Sequence, residues 1–308
     1  MDSSSNNPSA DGIFAASPHE RRKFRNEKII RKLTLIAALL LVIPVVTIIT
    51  YIFYKAAPVL SFEYIWDNPK ESGRAGGIWL PLIGTFYLVL ASLFIVAPIG
   101  IAAGIYLNEY AANNWFTRAI SMAVTSLAGV PSIVHGLFGV GAFVVFMQFG
   151  KSLLAAACTI AVMTLPVLVT ATREALSAVP QTFREACWNL GATRWQTVRT
   201  IVVPNSISGI LTGVILEIAR AAGETAPILF TGATASIIAN ESLNKFAPYY
   251  LDERFMALSY HLHVVAEKIT DVPEAMKYGV AAVLIALILI VNSVSIAFRI
   301  WLRTRKKW

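Results

Sequence analysis

Two cysteines and four histidines in 308 residues leave this chain little material for disulfide, thiol or metal chemistry. Cys158 lies in an apolar run and Cys187 in a polar segment, and both read as small apolar side chains rather than a staple. His261-Leu-His263 has a metal-like spacing but neither a nearby cysteine nor a third ligand, which argues against a zinc site. His135 reads as a packed polar group, and no nucleophile–base set suggests a membrane enzyme. The chain has no Gly-Xaa-Xaa-Xaa-Xaa-Gly-Lys sequence to cradle a nucleotide. No cofactor is expected. Charge is scarce too, at 14% of residues against 56% hydrophobic, a balance too apolar for a soluble domain of this length.

What fills the chain is long apolar runs. Leu33–Tyr54, Ile78–Leu107, Ala119–Gly150, Ser152–Thr172 and Tyr278–Phe298 each exceed the roughly 17–25 residues that cross a bilayer, or match them. A sixth, near residues 204–238, is apolar except for Glu217, Arg220 and Glu224. Lipid tolerates no unpaired backbone, so the expected fold is all-α: a polytopic membrane protein with six transmembrane helices. The expected organisation is a disordered cytoplasmic tail over residues 1–28 and a transmembrane domain over 29–308. That domain has spans near 33–54, 78–107, 119–150, 152–172, 204–238 and 278–302, an inner loop at 173–203 and an outer loop at 240–277. The first run starts too late and is too long for a cleaved signal peptide. Pro44, Pro81, Pro98, Pro131, Pro166 and Pro227 punctuate the first five spans, and Gly100/Gly104 and Gly209/Gly213 are spaced for close helix approach.

Basic residues set the orientation. With both termini inside, 17 of the 26 basic residues and 7 of the 18 acids fall on the cytoplasmic side. Lysine and arginine are retained on that side, so both termini are expected to be cytoplasmic. The net charge of +8 then reflects topology, and no nucleic-acid partner is expected.

The inner loop carries the most specific signal. Residues 181–190 can form one short helix and 193–202 a second, with Gly191 in the turn and Thr193 as a cap. Phe183, Trp188 and Trp195 would be exposed there unless a partner protein covers them. The bland alternative is an amphipathic loop lying on lipid headgroups. In the span before the outer loop, Glu217, Arg220 and Glu224 recur at helical spacing on one face. Either Arg220 receives an oxyanion through its planar fork, or the three form a structural ion cluster.

The stretch from Glu185 to Pro204 resembles the EAA loop of ATP-binding-cassette (ABC) importer permeases. Glu185, Ala186, Gly191, Ile201 and Pro204 match that pattern, while Cys187 and Val203 depart from it mildly. Residues 219–232, Ala-Arg-Ala-Ala-Gly-Glu-Thr-Ala-Pro-Ile-Leu-Phe-Thr-Gly, resemble the phosphate-specific permease family, A subunit. Leu127-Ala-Gly-Val-Pro-Ser-Ile-Val-His-Gly-Leu-Phe-Gly139 does as well, with His135 where an aromatic is expected. The resemblance implies the type I ABC importer permease fold, with a coupling helix in the inner loop. It implies phosphate import across the bacterial inner membrane, with ATP hydrolysed by a separate chain. It implies a heterodimer with a homologous permease C subunit, a cytoplasmic ATPase dimer and a periplasmic phosphate-binding protein. Arg220, Glu217 and Glu224 would lie along the substrate pathway. The alternatives are a permease for another oxyanion, such as sulfate or molybdate, and, from a different class, a passive anion channel.

Overall fold

The computed structural model describes residues 18–236 and 246–305. The chain divides into two units, one ending at Tyr54 and one beginning at Lys55. The first is carried by helix α1 (Pro18–Ala56), 39 residues long with Pro44 inside it. The Thr34 and Thr47 hydroxyls donate to the carbonyls of Ile30 and Ile43, so their polarity is satisfied within the helix. The expected disordered tail of 1–28 is corrected over residues 18–28, which are helical. The Glu, Arg and Lys of that stretch are good helix formers, and the apolar run behind it supplies the nucleus. Residues 1–17 lie outside the described chain.

The second unit opens with a short helix α2 (Phe62–Trp66), capped by the Ser61 hydroxyl, which accepts from the Tyr64 N–H. A small antiparallel pair follows, β1 (Pro69–Lys70) and β2 (Ala75–Gly76), with Pro69 opposite Gly76. Then come α3 (Trp79–Ile105), α4 (Trp115–Ala128), α5 (Ser132–Gly139), α6 (Leu153–Ser177), α7 (Gln181–Asn189), α8 (Arg194–Thr197), α9 (Val203–Gly223), α10 (Ala226–Thr231), α11 (Leu258–His263) and α12 (Glu274–Arg305). Wide π-type turns extend several of them, at Tyr106–Tyr110, Val140–Phe146, Val198–Val202 and Val264–Lys268.

Helices α3 and α6 form the centre. They run parallel: a Cβ on Gly100 would meet the Leu168 side chain at 2.8 Å, and one on Gly104 would meet Thr172 at 2.6 Å. Small residues are what let the two backbones approach this closely. Helix α9 runs antiparallel to α6, with Gly209 against Ala175 and Gly213 against Ala171. The core on the side where α3 and α6 begin is built from Leu88, Leu153, Ile160, Ile228, Phe255 and Met256. Tyr249 sits in it, donating its hydroxyl to the Leu80 carbonyl at 3.0 Å, and burial raises its phenol pKa.

Two expected spans are corrected. The run expected to cross as one helix over 119–150 is broken into α4 and α5, bent by 104° at residues 129–131. Pro131 lacks the N–H that would continue the ladder, and its ring collides with the carbonyl four residues back. The pair still crosses: α3 and α6 are parallel, so the chain must return from the end of α3 to the start of α6 through α4 and α5. The span expected over 204–238 ends at Gly223, with Glu224 in extended conformation. Pro227 cannot donate to the Gly223 carbonyl, and a separate short helix, α10, starts at Ala226. Residues 237–245 lie outside the described chain.

Candidate functional site

The inner loop builds an exposed knob. Helix α7 shows Phe183, Glu185, Ala186, Trp188 and Leu190 to solvent, with Leu190 at 89% exposure. Its end is a Schellman closure: the Ala192 N–H donates to the Cys187 carbonyl at 3.0 Å, and the Gly191 N–H to the Trp188 carbonyl at 2.9 Å. That closure needs a left-handed residue, and Gly191 has φ of +81°. Thr193 then caps the next helix in a reciprocal box with Gln196.

The second short helix expected at 193–202 is corrected. Helix α8 passes through the wide turn Val198–Val202 into α9, giving one helix from Arg194 to Gly223. The wide turn precedes Pro204 and opens the ladder where proline cannot donate. Ile201 is half-buried and Pro204 exposed, while Val202 is buried against Leu176 and Val179. The knob is therefore one free helix, α7, joined by a tight turn to the extended foot of α9.

A buried ion pair roots this helix, and sequence reasoning missed it. Arg184 Nη2 meets Glu109 Oε1 at 2.8 Å and Arg184 Nε meets Oε2 at 3.2 Å, with both side chains at most 8% exposed. The same guanidinium donates to the Val179 carbonyl at 2.7 Å and the Leu176 carbonyl at 2.9 Å. Next to it, the Ser177 hydroxyl donates to Asn108 Oδ1 at 2.8 Å. The wide turn Tyr106–Tyr110 presents Asn108 and Glu109 together to the end of α6 and the root of α7. The available signal was Glu109 itself, an acid at the end of an apolar run with no local basic neighbour.

The charged span separates into two environments. Ser206, Ile210, Gly213, Glu217 and Ala221 share the buried stripe of α9, so Glu217 points into the bundle at 3% exposure. It borders a void of about 10 Å³, lined by Ser92, Val96 and Thr164 among others, the scale of a single water. Its Oε2 makes no hydrogen bond. Arg220 lies on the open side, 42% exposed, and pairs with Glu224 at 3.4 Å. Glu224 has left the helix, and its carbonyl accepts from the Ser259 hydroxyl at 2.8 Å. Of the three charges expected on one face, Arg220 and Glu224 form an ion pair, while Glu217 is buried within electrostatic reach of both but makes no ion pair with Arg220. The sequence signal was the small and apolar stripe leading up to Glu217, which marks it as a core position.

Among the described residues, no three His, Cys, Asp or Glu side chains converge on a metal-sized site. His261 is buried in the outer segment with Nδ1 unpartnered, and burial lowers its pKa to about 4. His263 pairs with Glu267 at 3.3 Å.

Comparison with known proteins gives a consistent result. The family described as "binding-protein-dependent transport system inner membrane component" matches residues 97–307. The probable ABC transporter permease protein YqgI of Bacillus subtilis is 34% identical over 277 residues, spanning 87% of this chain and 94% of the relative. The phosphate transport system permease protein PstA 2 of Mycobacterium bovis is 29% identical over 299 residues, 96% of this chain and 95% of the relative. PstA of Pasteurella multocida is 39% identical over 177 residues, 58% of this chain and 63% of the relative. Among solved structures, a bacterial alginate ABC transporter in complex with its alginate-bound periplasmic protein aligns with a TM-score of 0.59 at 12% identity, covering 90% of this chain and 94% of that one. The inward-facing MetNI methionine ABC transporter aligns at 0.55 and 16% identity, covering 73% and 97%. At those identities the solved structures speak to the fold alone.

Proposed function

The chain belongs to the family of binding-protein-dependent transport system inner membrane components, and from that membership we propose that it is the permease subunit of an ATP-driven importer of inorganic phosphate. Its fold is that of type I ABC importer permeases. The observation that carries the reading is helix α7. It is an exposed helix with apolar and aromatic side chains, anchored at its base and joined by the tight turn at Gly191 to the helix that runs from Arg194 to Gly223. A passive channel has no use for such a dock, whereas an importer driven by a separate ATPase requires one. Glu185, Ala186 and Gly191 would form the contact and its turn, and Ile201 and Pro204 the hinge into α9. The phosphate assignment is supported by the names of the relatives.

The assembly would contain a homologous permease, two cytoplasmic ATPase subunits and a periplasmic phosphate-binding protein. Both chain termini would be cytoplasmic, because that orientation keeps the basic ends inside. Arg220 would receive the oxyanion, with Glu224 as its resting counter-charge. Release of Arg220 from Glu224 would free a fork suited to phosphate oxygens. Glu217 would stay in the bundle as a packed acid beside the route.

The test is radiolabelled phosphate uptake into proteoliposomes holding the whole complex, with unlabelled sulfate and molybdate as competitors. Uptake that needs ATP and the binding protein and resists both competitors is expected. Uptake abolished by equimolar sulfate or molybdate would reassign the substrate, and ATP-independent flux would reassign the class.

A further inference from the structure

The knob reaches the bundle by two routes. One is covalent: α7 turns at Gly191 into α8 and so into α9. The other is the guanidinium of Arg184, which grips Glu109 at the end of α3 and two carbonyls at the end of α6. We propose that the Glu109–Arg184 pair is a positioning link that makes α7 move as one body with the ends of α3 and α6. This rests on the importer reading above.

The geometry favours a mechanical role. Four hydrogen bonds from one buried guanidinium fix the angle as well as the position of the α7 root, which a greasy contact would not do. A buried ion pair is weak evidence for stability, since desolvation offsets much of its attraction, so its worth here lies in geometry. The wide turn at Tyr106–Tyr110 puts Glu109 in reach, and such turns recur at functional places. The two routes then converge. Displacing α7 moves the α3–α6 ends through Arg184 and the α9 foot through the chain. These three helices also enclose Glu217 and the void beside it, one turn from Arg220. A push on α7 would thus shift all three walls together instead of bending α9 alone.

The test uses the complete complex with Glu109→Gln, which keeps the shape of Glu109 and leaves Arg184 its two carbonyl partners. The ATPase is expected to copurify as in wild type, while phosphate taken up per ATP hydrolysed falls about tenfold, the scale of one lost charge-assisted bond. Glu109→Asp, which retains the carboxylate, should recover part of that ratio. Wild-type uptake per ATP in Glu109→Gln would overturn the link. So would parallel loss of ATPase copurification and uptake in both variants, which marks a merely structural pair. Should Glu109→Gln fail to assemble, the apolar pair Glu109→Leu with Arg184→Met is read in its place, and a normal ratio there overturns the link equally. A wild-type complex whose ATP hydrolysis ignores the binding protein would instead count against the importer reading.

Discussion

Arg220 and His261 show how the same side-chain chemistry divides by surroundings. Arg220 holds Glu224 with one nitrogen and leaves the rest of its fork open. Lysine there keeps the charge but loses the planar pair of donors. Arg220→Lys should therefore leave an assembled complex whose phosphate uptake is at least about tenfold lower, the range of one charge-assisted hydrogen bond. Near wild-type radiolabelled uptake would remove Arg220 from the pathway. His261 lies in the outer segment, where burial lowers its pKa from 6.5 to about 4. The folded state thus disfavours the proton that the unfolded chain accepts. Its contribution to stability is present above pH 6.5 and is lost as pH falls from there toward 4. Thermal unfolding of the purified protein should show this acid loss flattened in His261→Phe relative to wild type. An unchanged pH slope would mean that other groups dominate. Neither residue's state could be read from its neighbours in sequence: the pairing of Arg220 depends on where α9 stops, and the burial of His261 on how the outer segment folds back over α3.

Helix ends decide more here than helix interiors. Gly191 closes α7 at φ of +81°, and a Cβ placed there would meet nothing within 4 Å. Gly191→Val should therefore act through backbone strain alone, of about 1–3 kcal/mol. That is enough to open the Schellman closure and misdirect α8. Membrane insertion should be normal while phosphate-stimulated ATP hydrolysis is lost, and Gly191→Asn should retain much of it, since asparagine tolerates the left-handed region. Full stimulation in Gly191→Val would take the turn out of coupling. The turn glycine and the Thr193 cap were legible in the sequence because both are local requirements. The continuity of α8 with α9 was not, since a proline at 204 argues for a break. Here a wide turn precedes the proline and the helix passes through it, and a wide turn leaves no composition signal. The break at Pro131 shows the converse: an unbroken apolar run hid a 104° bend.

At the scale of the molecule, the spans alternate through α3, the bent α4–α5 pair, α6, α9 and α12, and the proposed orientation rests on the bias of basic residues. Reporter fusions at residue 110, within 180–195 and after 303 should read as cytoplasmic, and fusions near 65 and 255 as external. A cytoplasmic signal at 255 would defeat this arrangement. The sequence by itself determined that the chain lives in lipid, because only helices satisfy the backbone there and only long apolar runs are stable as such helices. It also carried the charge bias from which the proposed orientation is argued, and the exposed helix α7 through a local pattern of turn, cap and aromatics. Tertiary structure alone decided that α3 and α6 lie parallel in contact, that Glu217 turns inward while Arg220 keeps to the open side, and that Glu109 meets Arg184 across 75 residues of chain. Those outcomes depend on which helix faces which, and a contact between distant segments is fixed by the packing of whole helices, not by the residues beside each partner.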